Sequence, residues 1–201
     1  MTQQLFNDLN KLIRERLTEL QTVQNRFFDL HTRDLVEVAH DISQAITQGK
    51  KLMIMGNGGS AADAQHMAAE FVNRFKIERV PLPALSLSTD TSILTAIGND
   101  YGFDQVFEKQ ILALGASGDI LLGISTSGNS PNIIRGFKTA REKKIKTVAL
   151  TGNQGGAMIE WADRSLIVPS TDTPHIQEIH IWAIHLLCEL VDFLLFTSPE
   201  K

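Results

Sequence analysis

The 201-residue sequence lacks most of the features that mark secreted or nucleic-acid-binding proteins. Cys188 is its single cysteine, so no intramolecular disulfide can form. Lysine and arginine form no basic block and the formal net charge is −4, which argues against direct binding of nucleic acid. The first residues are polar and lack the apolar core of a signal peptide. These absences favour a soluble, cytoplasmic protein.

Long apolar runs are also missing. The most apolar stretch, residues 186–196, is interrupted by Glu189 and Asp192 and is too short to span a bilayer, so we expect no membrane contact. Hydrophobic residues make up 43% and charged residues 21%, which is ordinary for a globular protein. Because a chain of this length usually folds as one domain, we expect a single domain over 1–201, with helices in 1–50 and an α/β core in 51–201.

The N-terminal quarter has a helical pattern. Apolar residues recur at three- and four-residue spacings from 3 to about 28, which predicts a long amphipathic helix. A second helix is predicted from Asp34 to Gln48, with Thr32 as its N-cap and Gly49 just after its end. The first helix can pack on its own domain or against another subunit, and we favour the second arrangement.

From residue 51 onward, apolar runs alternate with helical patterns. The predicted strands are 51–55, 83–87, 119–124, 146–151 and 165–168, and the predicted helices are about 60–74, 90–97, 104–114, 131–143, 155–161 and 175–196. This alternation predicts a three-layer α-β-α domain with a doubly wound, five-stranded parallel sheet of the flavodoxin-like type. Its ligand should bind at the carboxyl ends of the strands, near the switch point of the sheet.

A glycine-rich turn, Gly56-Asn57-Gly58-Gly59-Ser60-Ala61, follows the first predicted strand. It matches a relaxed dinucleotide fingerprint, but the acidic residue expected about 20 positions later is missing, since Asp90 comes too late. The turn can also serve only to join strand to helix. We favour binding of an anion or a sugar by its exposed N–H groups.

A second loop, Ser125-Thr126-Ser127-Gly128-Asn129-Ser130, follows the third predicted strand. Three serines and a threonine at the start of a helix suit a phosphate monoester, and no Gly-Lys-Ser/Thr follows, so it is not a Walker loop. One capping serine would explain a helix start alone, and four hydroxyl groups exceed that need. We therefore predict a phosphate-binding loop.

Two helices carry candidate acid–base or metal-binding side chains. His66 and Glu70 lie four residues apart after the glycine turn and share a helical face. The last helix contains Gln177, His180 and His185 among apolar residues, where burial is costly unless they are hydrogen-bonded or bind a metal. The spacing leaves open which histidine is functional. Asn99-Asp100 ends another helix and is either a polar cap or a ligand contact.

These segments together resemble the sugar isomerase (SIS) domain family, and within it the phosphoheptose isomerases. The resemblance covers nearly the whole chain, and the segments that carry it are Gly56–Ser60, His66-x-x-x-Glu70, Gly98–Asp100, Gly118–Ser130, Leu150–Gly152 and Gln177–His180. It implies isomerisation of sedoheptulose 7-phosphate to D-glycero-D-manno-heptose 7-phosphate, towards ADP-heptose for lipopolysaccharide. It also implies a homotetramer with active sites at the contacts between subunits.

The resemblance also assigns roles to residues. Glu70 and His185 would transfer protons through an enediol, and His66, Glu70, Gln177 and His185 would bind Zn²⁺, which settles His185 over His180. The implied substrate contacts are Asn57, Gly58, Gly59, Ser60, Glu70, Asn99, Asp100, Ser125, Thr126, Ser127, Ser130 and Gln177. This chain departs from the family at Thr173-Pro174-His175, where members often carry an acidic residue or alanine and then arginine.

One rival hypothesis has the same fold. A non-catalytic SIS protein binds the bacterial replication initiator and promotes assembly at the origin, and it shares the Asn-Arg-Phe found here as Asn73–Phe75. Members of that group lack the acid–base pair, whereas this chain has both Glu70 and His185. The sequence therefore favours the enzyme.

Overall fold

The computed structural model describes residues 1–197. Five strands form its sheet: β1 (Leu52–Gly56), β2 (Ala84–Ser86), β3 (Ile120–Ser125), β4 (Lys146–Gly152) and β5 (Arg164–Val168). The α-helices are α1 (Gln3–Thr47), α2 (Gly59–Val72), α3 (Thr91–Tyr101), α4 (Val106–Leu114), α5 (Pro131–Glu142) and α6 (Thr173–Asp192). Two 3₁₀ turns (Phe103–Gln105 and Ala157–Trp161) and a π-helical turn after α6 (Phe193–Thr197) complete these elements.

The sheet is entirely parallel and its strand order is β2-β1-β3-β4-β5. This confirms the doubly wound, flavodoxin-like prediction. The chain reverses its direction of winding between β1 and β3, which pair with Gly56 opposite Ile124. The loops after these two strands therefore leave the sheet side by side at its switch point, where such folds bind ligands.

Successive strand residues supply the two faces of the sheet. Leu52 and Ile54 of β1 pack beneath α1, α2 and α6, whereas Met53 and Met55 pack beneath α4 and α5. Every residue of β1 and β3 is buried, as expected for central strands covered on both faces. The three-layer architecture follows from this burial pattern.

The prediction of two N-terminal helices was wrong, because α1 runs without a break for 45 residues. Thr32 does not cap a helix; its hydroxyl donates to the carbonyl of Phe28 one turn earlier, at 2.6 Å. Gly49 follows the end of α1 with a φ of +72°, the left-handed conformation that glycine adopts easily after a helix.

The second half of α1 is held to strand β5 by polar contacts. The Nε2 atom of His31 lies 3.1 Å from both the backbone nitrogen and the backbone oxygen of Ile167. Further along, Arg164 at the start of β5 forms ion pairs with Glu37 and Asp41 of the helix. These contacts fix α1 over one edge of the sheet.

The first half of α1 extends away from this anchored part. All of residues 1–19 are exposed, including a row of large apolar side chains at three- and four-residue spacings. Arg16 contacts the start of α6 through Asp172, at 2.9 Å. The exposed row comprises Leu5, Phe6, Leu9, Leu12, Ile13 and Leu17.

The opposite edge strand, β2, is only three residues long. Pro83 precedes it directly, and Pro81 lies two residues earlier. Because proline has no backbone N–H, neither residue can donate to a strand ladder. One edge strand of the sheet, β2, is therefore short, and the other, β5, is contacted by α1.

The last helix is more apolar than the sequence analysis allowed. Together with its π-helical turn it spans Thr173–Thr197, and by length and composition alone it could cross a membrane, with a mean hydropathy of 1.8. Half of that apolar window is buried inside the fold. Ile179, Ala183 and Leu187 pack in the core beneath the sheet, which explains the apolar composition of α6.

Candidate active site

The glycine turn joins β1 to α2 by a very close approach of the backbone. A Cβ atom on Gly56 would lie 2.3 Å from the carbonyl oxygen of Ser60, so only glycine fits there. Gly58, the N-cap of α2, has a φ of +55°. Gly58 and Gly59 are exposed, whereas the predicted contact Ser60 is buried. The turn thus presents backbone, and little side-chain bulk, at the carboxyl edge of the sheet.

Asn57 in this turn is paired with Asn132 at the start of α5. Each amide nitrogen donates to the oxygen of the other side chain at 2.9 Å. Asn132 is buried, and its oxygen also accepts the backbone N–H of Ile133. The sequence analysis missed Asn132, because a polar residue in the first turn of a helix is usually a cap. The neighbouring strands β1 and β3 bring the two asparagines together.

The predicted phosphate loop, Ser125–Ser130, is held by its own hydroxyl groups. The hydroxyls of Ser125 and Ser130 lie 3.1 Å apart, and that of Ser125 also accepts the N–H of Gly128 at 3.2 Å. The Ser127 hydroxyl accepts the N–H of Asn129 and is exposed. Ser130 is the N-cap residue of α5, but its side chain makes no capping bond. Its hydroxyl therefore belongs to the loop, while the first turn of α5 has few N–H groups to offer a ligand, because Pro131 has none and that of Ile133 donates to the Asn132 side chain.

A second turn, 152–156, supports the loop from behind. Gly128 has a φ of +66°, and a Cβ there would lie 1.8 Å from the carbonyl oxygen of Gly155. The Asn129 side chain accepts the backbone N–H of Ala157, and the Gly128 carbonyl accepts that of Met158, both at 2.9 Å. The conformation of the loop is therefore fixed before any ligand binds.

Helices α2 and α6 bring a cluster of titratable side chains together. The Nε2 atoms of His66 and His185 are 2.8 Å apart, although 119 residues separate them in sequence. The Nε2 atom of His66 lies 3.6 Å from a carboxylate oxygen of Glu70. The two candidate histidines of α6 thus have different surroundings, since His185 faces α2 while His180 is fully buried.

The surroundings of His185 favour its neutral form. Partial burial lowers the pKa of its imidazole, and the nearby charge of His66 lowers it further. The ring of Phe75 stacks on it with a centroid distance of 5.6 Å. A hydrogen bond between two ring nitrogens needs one donor and one acceptor, so a single proton lies between His66 and His185.

His180 is the other buried histidine of α6. Its side chain is completely inaccessible, and within residues 1–197 its ring nitrogens make no hydrogen bond of normal geometry, although the backbone of Thr151 lies near enough to favour the protonated ring slightly. Burial lowers its pKa to about 4, so the ring is neutral at physiological pH. A neutral imidazole in the core is not placed to exchange protons with a substrate.

Gln177 reaches the glycine turn from the start of α6. A Cβ on Gly59 would lie 2.4 Å from the Gln177 side-chain nitrogen. The absence of a side chain at Gly59 thus makes room for the amide. The first turns of α2 and α6 therefore lie against each other.

Asp63 lies one turn before His66 and was not singled out from the sequence. One of its carboxylate oxygens is buried and has no hydrogen-bond partner among residues 1–197. Burial raises the pKa of the carboxyl group to about 6, although the nearby His66 opposes this change. The signal that could have revealed it is its position on the α2 face that carries Gly59 and His66.

The donor set can be compared with the needs of a metal ion. Within residues 1–197, no three side chains of His, Cys, Asp or Glu are grouped to hold a metal as they stand. Two nitrogens on a tetrahedral zinc are about 3.3 Å apart, so the 2.8 Å between His66 and His185 is a hydrogen bond. The donors nevertheless fit zinc in kind, because imidazole and carboxylate are its usual ligands.

Asn99 and Asp100 end a helix, as the sequence analysis predicted, although α3 continues one residue beyond them. Both lie inside the last full turn of α3 and are exposed, and no loop begins before Gly102. The Asn99 amide donates to the Asp100 carboxylate at 2.9 Å. The described contacts do not join this pair to the histidine cluster or to the serine loop. Thr126 is half-buried within the serine loop.

Comparison with known proteins gives consistent matches. The family model described as SIS domain matches residues 17–152. The chain is 54% identical to the phosphoheptose isomerase of Nitratidesulfovibrio vulgaris (strain DSM 19637 / Miyazaki F) over 96% of its own length and 93% of that protein. Two solved structures are similar to it. Phosphoheptose isomerase GmhA from Neisseria gonorrhoeae has a TM-score of 0.87 at 43% identity, covering 92% of this chain and 98% of that one. A phosphoheptose isomerase from Francisella tularensis has a TM-score of 0.88 at 37% identity, covering 96% and 99%.

Proposed function

The chain belongs to the SIS-domain family and, within it, to the phosphoheptose isomerases, and from this we propose that it interconverts sedoheptulose 7-phosphate and D-glycero-D-manno-heptose 7-phosphate. The observation that carries the proposal is the meeting of Glu70, His66 and His185 on α2 and α6, two helices that begin at the same edge of the sheet as the preformed serine loop. Such an isomerase needs acid–base groups at one end of its substrate and a phosphate site at the other.

The proposed chemistry moves one proton between two carbons. Glu70 takes a proton from the carbon next to the carbonyl group, while His185 supplies one to the carbonyl oxygen, which gives an enediol. Return of a proton to the other carbon and loss of one from the other oxygen complete the aldose. The lowered pKa of His185 makes its protonated ring a stronger acid towards the carbonyl oxygen and leaves its neutral ring able to take the proton back.

The serine loop would hold the 7-phosphate. Ser125, Thr126, Ser127 and Ser130 supply hydroxyl groups, and the N-terminal end of α5 adds a favourable helix dipole. No lysine or arginine lies between 120 and 134, so the loop itself offers only neutral donors. Holding the phosphate would fix the reacting end of the sugar near Glu70.

The glycine turn completes the proposed sugar pocket. Asn57, Gly58, Gly59 and Ser60 would contact the sugar hydroxyl groups from the end of β1, and Gln177 would do so from α6. Asn99 and Asp100 would contribute from α3, where they project into solvent in one chain. A contribution from α3 fits a pocket that is completed by another subunit.

We infer that the enzyme uses Zn²⁺ held by His66, Glu70, Gln177 and His185. The support is the kind of donors and the closeness of His66 to both His185 and Glu70, which would have to rearrange to hold the ion. When bound, the ion would polarise the carbonyl group and stabilise negative charge on oxygen. Glu70 would then serve both the metal and the substrate.

We further propose a homotetramer that acts in the cytoplasm in the synthesis of ADP-heptose for lipopolysaccharide. The exposed apolar row on α1, from Leu5 to Leu17, is the support for assembly, since a contiguous apolar surface of this kind usually binds a partner. The replication-initiator hypothesis is not favoured, because the relatives with high identity bear the name phosphoheptose isomerase.

The decisive experiment is an isomerase assay of the purified protein on sedoheptulose 7-phosphate, with bound zinc measured in the same preparation. We expect turnover, its loss on treatment with a chelator, and recovery when zinc is added. An active protein whose rate is unaffected by chelation would refute the metal proposal alone. A zinc-loaded protein with no turnover would refute the isomerase.

A further inference from the structure

We propose that Arg79, acting with Asp192, is a positioning residue that sets the distance between the Glu70 turn of α2 and the His185 face of α6. The inference rests on the proposed function, which makes Glu70 and His185 the proton-transfer pair. Arg79 belongs to neither helix and lies in the connection between α2 and β2. Its side chain is only 3% exposed.

The guanidinium of Arg79 closes the end of α2. It donates to the carbonyl oxygens of Glu70 at 2.9 Å and Phe71 at 2.7 Å, and to those of Asn73 and Val80 at 3.2 Å. The last carbonyls of a helix have no partner within it, and α2 has neither a basic residue in its last turn nor a glycine at its C-cap. Arg79 therefore fixes the turn that carries Glu70.

The same guanidinium also reaches α6. Its Nε atom donates to a carboxylate oxygen of Asp192 at 2.9 Å, and both side chains are buried. Asp192 lies seven residues after His185, which places both on nearly the same face of α6. One buried ion pair thus joins the Glu70 turn to the helix face that carries His185.

The geometry of the cluster depends on this connection. The 2.8 Å contact between His66 and His185, and the 3.6 Å between His66 and Glu70, both span or adjoin the α2–α6 boundary. A second pair across it, Lys76 with Glu189, is exposed at both ends. Exposed pairs restrain little, whereas a buried guanidinium with five acceptors allows little movement.

The test uses Arg79→Met and the conservative Arg79→Lys, with Arg164→Met as the matched control. Arg164 also joins a helix to a distant element through two carboxylates, but at β5 and away from the site. For each variant, kcat and KM for sedoheptulose 7-phosphate are measured well below its own unfolding temperature. A crystal structure of each chelator-treated variant provides a readout that needs no activity.

We expect Arg79→Met to lower kcat about 100-fold with KM nearly unchanged, and Arg79→Lys to recover about tenfold of that loss. Its crystal structure should show the His66–His185 contact opened beyond hydrogen-bond distance. Arg164→Met should lower the unfolding temperature but keep both kcat and this contact. If Arg79→Met does not fold, the same kinetic and structural measurements are made on Asp192→Asn, which preserves the shape of the side chain.

Two results would overturn the inference. One is an Arg79 variant whose kcat matches that of Arg164→Met, and the other is an unchanged His66–His185 contact in the Arg79 variants. If the parent protein has no isomerase activity, the proposed function fails, and the structures of the variants still decide whether Arg79 positions the cluster.

Discussion

The serine loop and the histidine cluster are the two candidate functional regions of the molecule, and they are built in different ways. In the loop, Ser125 bonds to Gly128 and Ser130, so its partners lie within five residues. In the cluster, His66 meets His185 across 119 residues. The loop is therefore largely a local structure, whereas the cluster exists only after α2 and α6 have packed on the sheet.

This difference separates binding from chemistry. A defect in the loop should weaken affinity for the phosphate, while a defect in the cluster should slow turnover of bound substrate. The four changes below test that separation, beginning with the largest expected effect.

Replacing Glu70 by Gln should impair the histidine cluster and leave the serine loop unaffected. The amide keeps the size of the side chain but cannot accept the proton, so we expect kcat to fall about 1,000-fold or more with the fold intact. Steady-state kinetics and thermal unfolding measure the two effects. Glu78→Gln, on an exposed side chain beyond α2, is the control and should be neutral. A Glu70→Gln enzyme with near-normal kcat would refute the assignment.

Replacing Gly128 by Ala should destabilise the serine loop. The new Cβ would meet the Gly155 carbonyl at 1.8 Å, and φ is +66°, so we expect a loss of about 3 kcal/mol or more in unfolding free energy. Gly49→Ala is the matched control, since its φ is +72° with no atom within 4 Å, and its cost should be only about 1–2 kcal/mol. Urea unfolding compares them. Equal losses of unfolding free energy in the two variants would show that the 152–156 turn moves aside to make room for the new Cβ.

Removing one loop hydroxyl should be milder. Ser127→Ala deletes an exposed hydroxyl group, and we expect KM for the sugar phosphate to rise about tenfold with kcat little changed. Ser125→Ala should have a larger effect, because that hydroxyl also bonds to Gly128 and Ser130. Steady-state kinetics on both variants test this. An unchanged KM in both variants would refute the proposal that this loop binds the phosphate.

The smallest effect concerns the stability of the metal-free cluster. The pKa of Asp63 is raised by burial from 3.8 to about 6, so its ionised form destabilises the folded state, and this cost appears as pH rises from about 4 to 6. Asp63→Asn should therefore stabilise the protein at pH 7.5, by about 1 kcal/mol after allowing for partial exposure, and hardly at pH 4. Urea unfolding in the presence of chelator measures both. An equal gain at the two pH values would show that charge is not the cause.

Local features of the fold and the site were readable from sequence. The strand–helix alternation predicted the five parallel strands and their flavodoxin-like order, because central strands of such sheets are continuous apolar runs. The serine loop was recognisable because its residues are adjacent. The family membership that the sequence motifs implied is confirmed by the comparisons.

Features that depend on distant contacts were not readable. Thr32 looked like a helix cap, but contacts from His31 to β5 hold α1 straight through that point. The partners Asn132 and Arg79 have no motif, because their roles come from where neighbouring elements place them. The spacing within α6 could not choose between His180 and His185, since that choice depends on which face meets α2.

The two sheet edges described above have a consequence for assembly. Unpaired strand edges invite other chains to add strands, which leads to fibres and precipitates. Here β2 is three residues long and follows Pro83, while the backbone of β5 is contacted by His31 at Ile167. Growth of the sheet from one molecule to the next is thereby discouraged at both ends. Contacts between molecules are thereby left to the helices, whose surfaces do not propagate a sheet from one copy to the next.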